Sequence, residues 1–102
     1  MVTESLPKYL KGTGEVKGFH FINQLDGKNF YLFSVHDFEE NTIHFEVFLK
    51  KSTPICIDFE KRIYSDTKFK HKYPKAKDFG IWAWTCKTMD DVRVKIDNLN
   101  NH

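Results

Sequence analysis

Residues 15–50 read EVKGFHFINQLDGKNFYLFSVHDFEENTIHFEVFLK, and this stretch decides the fold class. It holds three runs rich in Phe, Tyr, Val and Ile, a composition typical of β-strands. The predicted strands span residues 15–24, 30–38 and 42–50. Asp26-Gly27 favours a tight hairpin between the first two, and Glu39-Glu40-Asn41 suits a three-residue loop with Asn41 in the left-handed region. The three strands should form an antiparallel meander.

A three-residue loop would fix the register of the second and third strands. It places Phe33 opposite Val47 and Val35 opposite Phe45, and this pairing buries one apolar face of the sheet. A loop one residue shorter places His36 opposite Phe45, which is a poorer match. We therefore favour the first register.

The favoured register also places His36 opposite His44, with Glu46 and Ser34 next along the same face. Two imidazoles and a carboxylate can bind Zn or Fe. His20 reaches this group only if the first strand pairs as predicted, so a third ligand of fixed geometry is lacking. We predict no metal site and no cofactor.

The chain after residue 53 is predicted to add two strands and a helix. Residues 54–59 read as an edge strand that begins at a proline, and residues 79–86 read as a short strand with Trp82, Trp84 and Cys86 on one side. Thr88 is a good N-cap for a helix that begins at Met89. The helix carries one apolar stripe. Its members are Met89, Val92, Ile96 and Leu99.

These elements predict an α+β fold, in which an antiparallel sheet of four to five strands, meander first, is covered on one face by the C-terminal helix. The 102 residues, 40% of them hydrophobic, supply enough apolar side chains for one core. We expect a single domain over residues 1–102, with an ordered core over about 14–99 and a polar tail over 98–102. Nothing resembles a signal sequence or an apolar run of about 18 residues, so we expect a cytoplasmic protein without a membrane partner.

A basic segment is the most suggestive functional feature, because the formal net charge of the whole chain is only +2. Residues 61–77 contain seven Lys or Arg and one acid, Asp66. Clustered lysines release counterions from a phosphate backbone, and interleaved aromatic rings can stack on bases. We therefore expect a small binding module, with nucleic acid as the first-choice ligand. The residues expected to contact it are Lys68, Lys70, His71, Lys72, Tyr73, Lys75 and Lys77.

An acidic hairpin gives the alternative function. Asp37, Glu39 and Glu40 lie in residues 37–46, which contain no Lys or Arg. This tip, or an exposed sheet edge, could serve a protein-interaction or inhibitor module. The oligomeric state stays open, and a homodimer through an uncovered sheet face is one alternative for a chain with ten Phe residues.

An enzyme is the least favoured class. Cys86 precedes the predicted helix N-terminus, where a thiol can become reactive, but it shares its face with two Trp residues that favour burial. Gly12-x-Gly14 lacks the third glycine, the preceding strand and the following helix of a nucleotide-binding turn. We predict no catalytic residues.

Overall fold

The computed structural model describes residues 2–100, with the side chains of Val2 and Glu15 excepted. Within this range the chain forms eight strands, two short 3₁₀ helices over Gly14–Val16 and Ala76–Asp78, and one α-helix. In chain order the strands and helix are β1 (Val2–Glu4), β2 (Tyr9–Lys11), β3 (His20–Asp26), β4 (Phe30–His36), β5 (Thr42–Leu49), β6 (Ser52–Asp58), β7 (Ile63–His71), β8 (Ala83–Cys86) and α1 (Met89–Asn100).

The chain divides into two compact units. The sheet–helix unit combines Pro7–Leu49 with residues 74–100, and the hairpin unit combines residues 2–6 with Lys50–Tyr73. A five-stranded antiparallel sheet, in the order β2-β3-β4-β5-β8, belongs to the first unit together with α1. The predicted α+β class, with a meander of β3, β4 and β5 and a C-terminal helix, is confirmed.

Helix α1 begins at Met89 as predicted, because Thr88 caps its first turn. The Thr88 hydroxyl accepts the backbone N–H of Asp91 at 3.2 Å. Val92 is buried against one face of the sheet, with Ile96 and Leu99 packed beside it. This helix face of the sheet is formed by Phe30, Leu32, Val47 and Cys86. Met89, the first residue of the predicted stripe, remains 46% exposed.

The predicted register between β4 and β5 is wrong by one residue. Leu32, not Phe33, lies opposite Val47, and Phe33 lies opposite Glu46. The loop is closed by a carboxylate: Asp37 Oδ1 accepts the N–H groups of Glu39 and Asn41 at 2.9 and 3.0 Å. The register also shifts just before the loop, where His36 pairs with Thr42. The left-handed residue is Glu40, at φ 67°, not Asn41.

The corrected register divides the large aromatic residues between the two sheet faces. Tyr31, Phe33 and Phe48 lie opposite the helix face, and each has 0% of its surface exposed. The Phe48 ring stacks on Phe33 with centroids 5.6 Å apart and contacts Tyr31 at the same separation. We call these three residues and Trp82 the aromatic cluster.

The two tryptophans do not share a face, in contrast to the sequence prediction. Strand β8 begins only at Ala83, so Trp82 lies in the preceding turn and its ring meets Phe48 edge-on at 6.3 Å. Trp84 pairs with Val47 on the helix side, and Lys95 of α1 lies 4.6 Å above its ring. A cation over an indole face is a favourable contact. The two indole rings therefore do not lie side by side on one face of the sheet.

The hairpin unit contains a second sheet that the sequence did not predict, in the order β1-β7-β6. Strands β6 and β7 pair antiparallel, and β1 adds to β7 in parallel. The predicted edge strand over 54–59 corresponds to β6, while most of the basic segment forms β7. Within residues 2–100, no helix has the length and apolar character needed to cross a membrane.

Candidate functional site

The lysines of β7 form the first candidate site. Lys68 and Lys70 are exposed and lie two positions apart, so they occupy one face of the strand about 6.8 Å from each other. Lys72 is exposed as well, and its backbone N–H donates to the carbonyl oxygen of Lys51 at 2.9 Å. This bond brings Lys51, which the sequence analysis did not select, beside the predicted residues. We call these four residues the lysine row.

A buried serine shapes β7 at the start of the lysine row. The Ser65 hydroxyl accepts the N–H groups of Thr67 at 3.2 Å and Lys68 at 2.8 Å, and the side chain is 8% exposed. The pairing with β6 is irregular at the same place, because Pro54 pairs with Phe69 and Cys56 with Tyr64. The extra β7 residues form a bulge held by Ser65, beyond which Lys68 and Lys70 follow regular strand geometry.

Exposed apolar side chains lie at the other end of the same hairpin. Phe59 is 87% exposed, Ile57 68% and Tyr64 55%. The turn between β6 and β7 is closed by Asp58, whose carboxylate accepts the N–H of Lys61 at 3.1 Å. Exposed aromatic rings are suited to stacking on unpaired bases. Sequence reasoning missed Phe59 because strand alternation alone does not show which residues a turn leaves uncovered.

The hairpin unit has a net positive charge. Residues 2–6 and 50–73 hold seven Lys and Arg residues and four Asp and Glu residues, a formal charge of +3. Within the lysine row, Lys70 has Glu4 as its partner on the parallel strand β1. The unit as a whole keeps a formal excess of three positive charges.

The other predicted contact residues are distributed differently. Lys75 and Lys77 are exposed but belong to the sheet–helix unit, where the backbone N–H of Lys75 donates to the Asp78 carboxylate at 2.9 Å. His71 and Tyr73 belong to the hairpin unit and are half-buried. The structure therefore groups Lys68, Lys70 and Lys72 in one unit and assigns Lys75 and Lys77 to the other.

The acidic hairpin has one structural and two exposed carboxylates. Asp37 is half-buried and holds the loop through its two backbone hydrogen bonds, so its oxygens are partly occupied. Glu39 and Glu40 are exposed. Only Glu40 also contributes to the wall of a cavity.

The histidines do not meet as the predicted register required. His36 pairs with Thr42 and His44 with Val35, so the two rings lie on opposite faces of the sheet. His44 instead contacts the Glu46 carboxylate at 3.2 Å. Among the residues that the structure describes, no group of three or more His, Cys, Asp and Glu side chains is arranged to hold a metal ion.

A second candidate site lies where β2, β3 and β4 meet the acidic hairpin. His20 lies directly opposite His36 across β3 and β4. The rings line a cavity of about 240 Å³. The complete lining consists of Tyr9, His20, Ile22, His36 and Glu40. We call this cavity the histidine pocket.

Hydrogen bonds hold both imidazoles of the histidine pocket in place. Nε2 of His36 lies 2.7 Å from the Ser34 hydroxyl, and Nδ1 lies 3.3 Å from the Thr42 hydroxyl. The Gln24 amide donates to Ser34 at 2.8 Å, and the Tyr9 hydroxyl bonds to Nδ1 of His20. Ser34 is only 2% exposed, so the Ser34–His36 pair orients the ring and offers no accessible nucleophile.

The two cysteines differ in environment. Cys86 is buried on the helix face, and this burial, with the negative charge of Asp91 adding to it, raises the pKa of its thiol. Cys56 is exposed on β6. A raised pKa lowers the thiolate fraction at a given pH, so Cys86 is a poor nucleophile.

This difference predicts two well-separated thiol reactions. With excess disulfide reagent at pH 8, we expect Cys56 to react first and Cys86 more than about tenfold more slowly, since attack on Cys86 requires both opening of the core and deprotonation. Stopped-flow absorbance measures both phases. Cys56→Ser should remove the fast phase alone. Equal rates for the two thiols in the folded protein would contradict the burial of Cys86.

Comparison with known proteins does not indicate a function. No protein-family model, curated protein sequence or solved structure matches the chain.

Proposed function

We propose that the chain is a small binding module that holds single-stranded nucleic acid along the hairpin unit. The observation that carries this proposal is the lysine row along β7 and at the adjoining ends of β6 and β7, in the same hairpin as two exposed aromatic rings. Lysines two positions apart on a strand are about 6.8 Å apart and lie on one face, so Lys68 and Lys70 present neighbouring cations to a phosphate backbone.

Exposed aromatic residues favour a single strand over a duplex. A base offers its face for stacking only when it is unpaired or can be turned out. Phe59 and Tyr64 present such rings at the tip of the hairpin, 87% and 55% exposed. Stacking contributes about 1 to 3 kcal/mol per base and tolerates any base, so we expect weak sequence preference.

The test is fluorescence anisotropy of labelled single-stranded DNA and RNA against the variant K51Q/K68Q/K70Q/K72Q. Four phosphate contacts give a slope of about −2.8 in log affinity against log salt, so the affinity of the unchanged chain should fall about 50-fold from 50 to 200 mM salt. The variant should lose most of this dependence and bind at least about tenfold more weakly at 50 mM salt.

The matched control is K17Q/K28Q/K87Q/R93Q, which removes the same charge from exposed positions of the sheet–helix unit. It should keep nearly full affinity. A second arm compares Phe59→Ala with Phe38→Ala, because Phe38 is also exposed, at 76%, but lies in the acidic hairpin. Equal losses from the two fourfold variants, or no binding by the unchanged chain, would overturn the proposal.

A further inference from the structure

The histidine pocket is a small cavity whose two imidazoles are held by hydrogen bonds. Its volume of about 240 Å³ is smaller than the pockets that hold drug-sized ligands and suits a group of a few carbon atoms with one polar head. The pocket lies wholly in the sheet–helix unit and shares no residue with the lysine row. The two proposals therefore rest on different residues.

The pocket is lined by aromatic rings, and three of the four imidazole nitrogens of His20 and His36 already have hydrogen-bond partners. Both nitrogens of His36 are engaged by the hydroxyls of Ser34 and Thr42, and Nδ1 of His20 is engaged by Tyr9. A neutral imidazole accepts at one nitrogen and donates at the other, and the two hydroxyls beside His36 satisfy both roles. The rings of Tyr9 and His20 lie 5.5 Å apart at an angle of 35°. Their faces, with the aliphatic side chain of Ile22, form an apolar, π-rich lining.

One wall carries formal charge. Glu40 lines the pocket, and its loop neighbours Glu39 and Asp37 are acidic too. Lys11 lies opposite His20 on β2 but is not part of the lining. A carboxylate beside aromatic faces attracts a cation, both by charge and through the ring quadrupoles.

We propose that the histidine pocket binds the head group of an alkylammonium ion. The Glu40 carboxylate would accept hydrogen bonds from the ammonium group, Tyr9 and His20 would face the cation, and Ile22 would contact its alkyl chain. This chemistry is shared by a free amine and by a lysine side chain presented by a partner peptide.

The experiment is a titration of the full chain with n-butylammonium chloride, followed in ¹H–¹⁵N and aromatic NMR spectra. We expect saturable shifts at the five lining residues with a millimolar dissociation constant, as a ligand of five heavy atoms allows. Sodium butyrate, equal in length and opposite in charge, should produce no saturable shift there. Binding of butyrate in preference to butylammonium would overturn the proposal.

Three variants test whether nearby charges control the binding of butylammonium. Glu40→Gln keeps the size of the side chain and removes its charge, so butylammonium binding should weaken at least about fivefold. Glu39→Gln is the matched control, because it removes the same charge from the adjacent residue, which does not line the pocket. Lys11→Gln should strengthen binding by removing a nearby positive charge. Equal effects of the two Glu variants, or weaker binding by Lys11→Gln, would contradict a cation in this pocket.

A peptide arm distinguishes the two sources of the ligand. The tripeptide acetyl-Gly-Lys-Gly-amide should bind more tightly than butylammonium if the pocket serves a partner peptide, and no more tightly if it serves a free amine. Both results support the alkylammonium site. Absence of saturable shifts with both probes, in a chain whose spectrum shows the native fold, would overturn it.

Discussion

Phe48→Ala is expected to destabilise the sheet–helix unit by about 3 to 5 kcal/mol. Phe48 is fully buried and contacts three aromatic rings, those of Tyr31, Phe33 and Trp82. Truncation loses the transfer free energy of the ring and leaves a cavity that the three large, packed side chains around it cannot close. The free energy of unfolding of a small domain is only about 5 to 15 kcal/mol, so the substitution removes a large fraction of it.

Urea denaturation followed by tryptophan fluorescence measures this effect. Trp82 and Trp84 belong to the same unit as Phe48, and Trp82 touches it, so the probe reports on the right part of the chain. Phe38→Ala is the control, because Phe38 is 76% exposed and its removal should change stability by less than about 0.5 kcal/mol. Phe48→Leu, which leaves a smaller cavity, should fall between them. Similar midpoints for Phe48→Ala and Phe38→Ala would contradict the aromatic cluster.

The helix was predictable because its signals are local. The Thr88 hydroxyl bonds to a backbone N–H three residues on, and the spacing of Val92, Ile96 and Leu99 repeats within each turn. The existence of the meander was predictable for a similar reason, since β-branched and aromatic residues cluster in each run. Such interactions need no knowledge of distant partners.

The register was not predictable from apolar matching, because the observed register also pairs apolar residues, Tyr31 with Phe48 and Leu32 with Val47. What decides it is the loop, where the Asp37 carboxylate binds two N–H groups and Glu40 adopts the left-handed conformation. Asn adopts the left-handed conformation more readily than Glu, so that conformation was predicted for Asn41 and not for the adjacent Glu40. When the register shifts by one residue, side chains that were predicted to share a face lie on opposite faces of the sheet. His36 and His44 therefore do not pair.

The second sheet and the histidine pocket depend on contacts between distant residues. Strand β1, only three residues long, finds its partner β7 more than 60 residues later in the sequence. The pocket needs Tyr9 from β2, a strand too short to predict, together with His20, His36 and Glu40. Charge alone identified Lys68, Lys70 and Lys72, but it did not show the backbone hydrogen bond that brings Lys51 beside Lys72.

Gly12→Ala is expected to cost about 2 to 3 kcal/mol, the second large effect on stability. The chain between β2 and β3 folds back tightly on Gly12, whose N–H donates to the carbonyl oxygen of Phe19 at 2.8 Å. A Cβ atom at Gly12 would lie 2.0 Å from the carbonyl oxygen of Val16 and 3.0 Å from that of Phe19. These are backbone atoms, which cannot rotate away as a flexible side chain can, so the loop itself must move.

Gly14→Ala separates this steric effect from ordinary glycine behaviour. Gly14 lies two residues further on, at φ 60° with open space around it, so alanine there meets only the left-handed backbone penalty of about 1 to 2 kcal/mol. In urea denaturation, the free energy of unfolding should therefore be lower for Gly12→Ala than for Gly14→Ala.

Displacement of the loop should also disturb the pairing of Lys11 with His20, and with it the Tyr9–His20 wall of the histidine pocket. We therefore expect Gly12→Ala, but not Gly14→Ala, to weaken butylammonium binding, and the reverse ranking would show that the loop tolerates a side chain at Gly12.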